Sequence, residues 1–188
     1  MGSLEVLEVP QNGIKKDGMV ALMEALKANA QSLRELHLND NWVKAEAVEG
    51  LATFILASQK LERLNISDST MGTEGVVLVV KAFAASPSAA TLKHFASNYN
   101  EVESAKASIL ILETLLEAGK ALEIVEFRGN TLGRKAAAEM AAMFEARGCK
   151  LFVFEEEDEE DEEAEEEEEE EDEFDMDKIV ERLEKLSL

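Results

Sequence analysis

Apolar residues recur along the first 154 positions in two alternating textures. Short segments place them at every second position, which predicts strands, because successive strand side chains point to opposite faces. The longer stretches between place them three and four apart, which predicts helices with one apolar face. Five short segments align: LEVLEVPQN from Leu4, LRELHLNDN from Leu33, LERLNISDS from Leu61, LKHFASNYN from Leu92 and LEIVEFRGN from Leu122. Their starts lie 29, 28, 31 and 30 residues apart. Each has apolar residues at positions one, four and six and Asn at position nine, with two exceptions. Ser69 stands for the Asn in the third, and Ser97 for the sixth-position apolar residue in the fourth.

Alternation sends Leu7 with Val9, Leu36 with Leu38, Leu64 with Ile66, and Val125 with Phe127 into a core. Glu8, His37, Asn65, Ala96 and Glu126 then point outward. Asn12, Asn41, Asn100 and Asn130 end the strands, where an amide side chain can bond backbone groups of a buried turn. The expected helix faces are Leu22 and Leu26; Val48, Leu51 and Ile55; Val76, Val77 and Val80; Ile109, Leu112 and Leu116; and Met140 with Phe144.

This spacing is the leucine-rich-repeat pattern. It predicts an α/β solenoid over residues 1–154 with about five repeats, curved, with parallel strands concave and helices convex. Residues 149–154, CKLFVF, read as a last strand or cap. No polar cap precedes the first repeat, so Leu4, Leu7, Val9, Leu22 and Leu26 are expected to be poorly covered.

Charge divides the chain. Its 41 acidic and 19 basic residues give a net charge of −22. Residues 1–154 hold 19 acidic and 16 basic side chains, a net of −3, whereas 155–173 contain 18 acidic residues in 19 positions. Residues 155–177 are therefore expected to be an acidic disordered tract, and 178–188 a short amphipathic helix. Clustered Lys and Arg of the kind that bind a phosphate backbone are missing, so nucleic acid is not an expected partner. A basic protein is. No run of about 18 apolar residues suggests a membrane span. The single cysteine, Cys149, precludes an internal disulfide and fits a reducing compartment.

Chemistry of sites is sparse. His37 and His94 lie in different repeats, without partners at metal-ligand spacing. There is no GxxxxGK[ST] phosphate loop and no spaced calcium loop in the acidic tract. No catalytic residue, metal or cofactor is expected.

The turns Val9-Pro10-Gln11-Asn12-Gly13-Ile14, Leu38-Asn39-Asp40-Asn41 and Gly129-Asn130-Thr131-Leu132-Gly133, the repeat length, and a Glu-rich tract straight after the last repeat resemble the Ran GTPase-activating protein family. The resemblance covers Leu4 to Phe154, and the tract by composition. It implies a regulator rather than a hydrolase. Such a protein binds the GTP-bound small GTPase Ran, speeds its GTP hydrolysis without an inserted arginine finger, and so gives nucleocytoplasmic transport its direction. It implies a cytoplasmic location, extending to the nuclear envelope. Family members carry roughly twice as many repeats, with the Asn and Arg most tied to activity in the N-terminal half. The chain is therefore expected to be partial, and no position inherits those roles.

Asp40, Trp42, Asp68, Tyr99 and Arg128 follow strands on one rim and form the candidate partner-binding surface. Ile179, Leu183, Leu186 and Leu188 have the spacing of a nuclear export signal, which would present an exposed helix to an export receptor. The alternative from another class is a repeat adaptor whose acidic tail binds basic proteins such as histones.

Overall fold

The computed structural model describes residues 2–154 and 176–186. Six short strands and five helices alternate through the repeats: β1 (Val6–Glu8), α1 (Lys16–Leu26), β2 (Glu35–His37), α2 (Lys44–Ala57), β3 (Arg63–Asn65), α3 (Gly72–Ala85), β4 (His94–Ala96), α4 (Ala105–Ala118), β5 (Ile124–Glu126), α5 (Arg134–Glu145) and β6 (Lys150–Phe152). All six strands pair in parallel, in sequence order, to make one open sheet. The chain is an α/β leucine-rich-repeat solenoid.

The register explains the consensus. Leu7, Leu36, Leu64, Phe95, Val125 and Leu151 stand side by side across the sheet and face the helices. From Leu36 to Val125 they are fully or almost fully buried. Leu33, Leu61, Leu92 and Leu122 form a second buried row. Leu38, Ile66 and Phe127 form a third, in which buried Ser97 takes the fourth repeat's place. Ser97 is tolerated there because its Oγ accepts a hydrogen bond from Asn100 Nδ2 at 2.9 Å.

The position-nine asparagines tie each repeat to the one before. Asn41 Oδ1 accepts from the backbone N–H of Asn12 and Ile14, while its Nδ2 donates to the carbonyls of Val9 and Leu38. Asn100 and Asn130 repeat the scheme on the turns preceding them. Asn12 does not, contrary to the sequence expectation. With no described repeat ahead of it, its amide reaches only Pro10 O. Ser69 is too short for the reach and bonds Ser67 O locally. There the link is made by the backbone, Lys44 N–H to Ser69 O at 3.2 Å.

Four expectations change. Ala96 faces outward but is buried, its methyl set between the longer Asn65 and Glu126 of flanking strands. The covered face of α1 is Met19, Met23 and Leu26, with Leu22 only half-buried. Leu26 thus has full cover, unlike Leu4, which is exposed, and Leu7 and Val9, which are half-buried. Third, the C-terminal helix α6 spans Met176–Leu186, so it starts two residues before position 178.

Fourth, α6 is not an isolated appendage: it packs on α3 and α2. Ile179 is fully buried, and Leu186 is half-buried against the core. Arg182 sits over the two helices, donating to Glu49 of α2 at 3.3 Å and Glu74 of α3 at 3.4 Å. The acidic tract lies outside the described residues.

Candidate partner-binding rim

The turn after each strand has the same backbone. Position eight of the five segments is Gln11, Asp40, Asp68, Tyr99 and Gly129, and all have left-handed φ, between 51° and 65°. The turn demands it. There the chain leaves the sheet, and the N–H of each residue donates to the position-seven carbonyl of the next repeat. The bonds run Gln11 to Asn39, Asp40 to Ser67, Asp68 to Asn98, and Tyr99 to Arg128, at 2.8–3.1 Å. A non-glycine residue in this region costs about 1–2 kcal/mol. Asp tolerates it better than most residues. The ladder bonds hold Tyr99 in it.

Asp40, Asp68 and Tyr99 therefore stand in consecutive repeats along one edge, and Arg128, at position seven of the fifth segment, continues it beside Gly129. Strand spacing of about 4.8 Å makes the row about 14 Å long. Tyr99 is 48% exposed, its ring lying over Gly129. A Cβ at Gly129 would overlap that ring, and its φ of +65° is one that only glycine adopts freely. Trp42, 51% exposed, is displaced from the row. Its backbone N–H donates to Ile14 O, which draws it toward the turn of the first repeat.

Arg128 is anchored from below. Its Nη1 donates to Glu126 Oε2 at 2.9 Å, and its guanidinium lies 4.8 Å from the Phe152 ring centroid. Glu126 is a hub on the outward face of the sheet. It also bonds His94 Nε2 at 2.7 Å and Asn98 Nδ2 at 3.4 Å. Arg63 Nη1 lies 3.4 Å from His94 Nδ1. Burial pushes the Glu126 carboxyl up, but hydrogen bonds from His94, Asn98 and Arg128 outweigh it and hold the group below its ordinary value. Three repeats are thus locked into one polar network. Alternation had placed Glu126 outward, but only the register brings its partners to it.

The opposite end of the sheet is acidic. Glu8, Glu35 and His37 each bring one ligand atom to within 4.8 Å of the others, with His37 Nε2 3.5 Å from Glu35 Oε2. Glu8 is exposed, and Glu35 and His37 are half-buried on the outward face of the sheet.

Of the candidate export residues, Ile179 and Leu186 face the solenoid. Leu188 and the side chain of Leu183 lie outside the described residues. As docked, the helix does not offer Ile179 to a receptor. The sequence signal for this docking was in α3 rather than in α6. Val76–Val80 is apolar all round, and a helix of that kind needs cover on every side.

The comparisons agree with this geometry. The profile described as Leucine Rich repeat matches residues 29–52 and 57–80, the second and third repeats. The chain has the leucine-rich-repeat fold. Over 145 residues, 77% of its length, this repeat protein is 26% identical to RAN GTPase-activating protein 2 of Arabidopsis thaliana. Shorter matches of 80 and 81 residues, at 29% and 30% identity, relate it to NACHT, LRR and PYD domains-containing protein 5 of Homo sapiens and Bos taurus. The chain spans about a quarter of the plant protein and 7% of each mammalian one.

The row offers two carboxylates, a phenol and a guanidinium on a rigid edge. That is chemistry for holding a protein surface. Among the described residues of the row there is no nucleophile paired with a base.

Proposed function

We propose that the chain is the partner-binding part of a GTPase activator for Ran, acting in nucleocytoplasmic transport from the cytoplasm and the nuclear envelope. The observation that carries this reading is the rim row, Asp40–Asp68–Tyr99–Arg128. Asp40, Asp68 and Tyr99 are held out in left-handed turns, and Arg128 directly precedes the left-handed Gly129; the chain is similar to the plant protein over 145 residues. In the proposed mechanism Ran supplies the nucleotide site, and the row fixes the orientation of its surface. A rigid platform lowers the entropy lost on docking. The GTPase's own catalytic groups then do the chemistry. In this reading the chain binds Ran-GTP and speeds its hydrolysis. The acidic residues of 155–173 steer basic surfaces toward the platform.

The test is single-turnover phosphate release from Ran-GTP, with binding measured in parallel. The proposal expects measurable binding that falls roughly tenfold in a Tyr99→Ala, Arg128→Ala double variant, a loss of about 1.4 kcal/mol. No binding to Ran-GTP, with retention of histones, would replace it by the adaptor reading.

A further inference from the structure

Beside the row, and separate from it, lies a cavity of about 420 Å³ lined by Lys15, Lys16, Trp42 and Lys44. Its parts come from two repeats brought together by Asn41. The Asn41 amide oxygen holds the Asn12 and Ile14 N–H groups, which sets the loop carrying Lys15 and Lys16. The Trp42 backbone N–H on Ile14 O then closes the indole against that loop. Lys15 caps α1 and Lys16 is its first residue, while Lys44 opens α2. The positive ends of two helix dipoles therefore add to three ammonium groups.

None of the three lysines forms an ion pair with a described residue, although Asp17 and Asp40 are near in sequence. Lys44 Nζ instead rests over the Trp42 ring, 5.2 Å from its centroid. Three cations without an ion pair among the described residues, around a half-exposed indole and in a body that is otherwise net acidic, leave an anion-seeking site with an apolar wall. The volume is within the range of specific ligand pockets, about 300–1,000 Å³.

We propose that this pocket binds an acidic peptide segment of a partner protein. Carboxylates would meet Lys15, Lys16 and Lys44, and one apolar side chain would lie against Trp42. Separate ammonium groups on flexible stems suit carboxylates spread along a peptide, whereas planar phosphate recognition favours the arginine fork. Lys44 already covers one ring face, which leaves that face closed to a stacking nucleotide base.

Trp42 is the sole tryptophan, so its fluorescence reads the site directly in the full chain. The probe is a nine-residue oligoglutamate with a central phenylalanine. The proposal expects a saturable change in Trp42 emission that weakens as salt rises. A K15Q/K16Q/K44Q variant should bind roughly tenfold more weakly, the sum of three exposed ion pairs. A K15R/K16R/K44R variant should bind within about twofold of the parent.

Three results would overturn the proposal. The first is no change in emission at saturating peptide. The second is an equal change with inorganic phosphate, which would make this a plain anion site. The third is a salt-dependent emission of the free chain, which would mean that its own acidic residues already hold the lysines. Ran does not enter this assay, so its outcome and that of the phosphate-release assay are independent.

Discussion

The first and fourth repeats share one consensus and differ in what lies on either side. In the fourth, Phe95 is fully buried between Leu64 and Val125, and Asn100 is fully buried with its amide bonded into the third repeat. In the first, Leu7 is half-buried with a described strand on one side only, and Asn12 reaches no further than Pro10. The same residue types at the same positions are structural in one repeat and near-idle in the other. A consensus position has no fixed energetic value, because each repeat's contribution is shared with its neighbours.

The sharpest way to break this comparison is to truncate the same core row at both places. Phe95→Ala should destabilise by about 3–5 kcal/mol, through lost transfer energy and an unfilled cavity. Leu7→Ala should cost less, roughly 1–2 kcal/mol, since its side chain is only partly buried. Urea unfolding that gave equal losses would show the first repeat to be as well packed as the fourth. Asparagine offers the second test. Asn100→Ala strands buried backbone groups and should cost about 2–3 kcal/mol, whereas Asn12→Ala should stay within about 0.5 kcal/mol.

A third test concerns α6, which gives the third repeat a neighbour the consensus does not contain. Ile179→Ala should cost about 2 kcal/mol. It should also raise amide exchange along the Val76–Val80 face of α3 while exchange in α1 stays unchanged. Arg182→Ala should cost under about 1 kcal/mol, because Glu49 and Glu74 are partly solvated. If Ile179→Ala left α3 exchange untouched, the helix would not be part of the solenoid's core, and the export reading would gain by it.

The smallest expected effects are titrations. Glu126 has a folded value below its ordinary 4.5, so its charged form stabilises the fold above that pH. The contribution is lost as pH falls through the lowered value. Glu126→Gln should flatten the acid limb of a stability–pH curve and leave it unchanged near neutrality apart from a constant offset. Burial pushes the Cys149 thiol up to about 11. Iodoacetamide at pH 8 should therefore label it far more slowly than a free thiol, until the chain unfolds.

Much of the fold was legible before any coordinates. Alternation at Leu36 and Leu38, helical spacing at Val48, Leu51 and Ile55, and Asn at position nine are local statements about which way side chains point. A repeat of 28–31 residues leaves few ways to stack them. The candidate rim was legible in the same sense, because it needed only the rule that residues after strands share an edge. Trp42 shows the limit of that rule: one hydrogen bond to Ile14 moves it off the row and into a pocket.

The sequence by itself determined the repeat unit, its parallel stacking, the core rows and the separation of a near-neutral body from an acidic tract. These follow from periodicity and composition, which are properties of neighbours along the chain. The tertiary structure alone decided which charges meet. His94, Glu126 and Arg128 converge because adjacent parallel strands pair in one register, and Lys15, Lys16 and Lys44 because Asn41 draws one turn onto another. It also decided that α6 covers α3, a contact between residues more than a hundred positions apart. Distance along the chain carries no information about such encounters. Packing brings them about, since the apolar face of α3 has to be covered by something and α6 is the helix that reaches it.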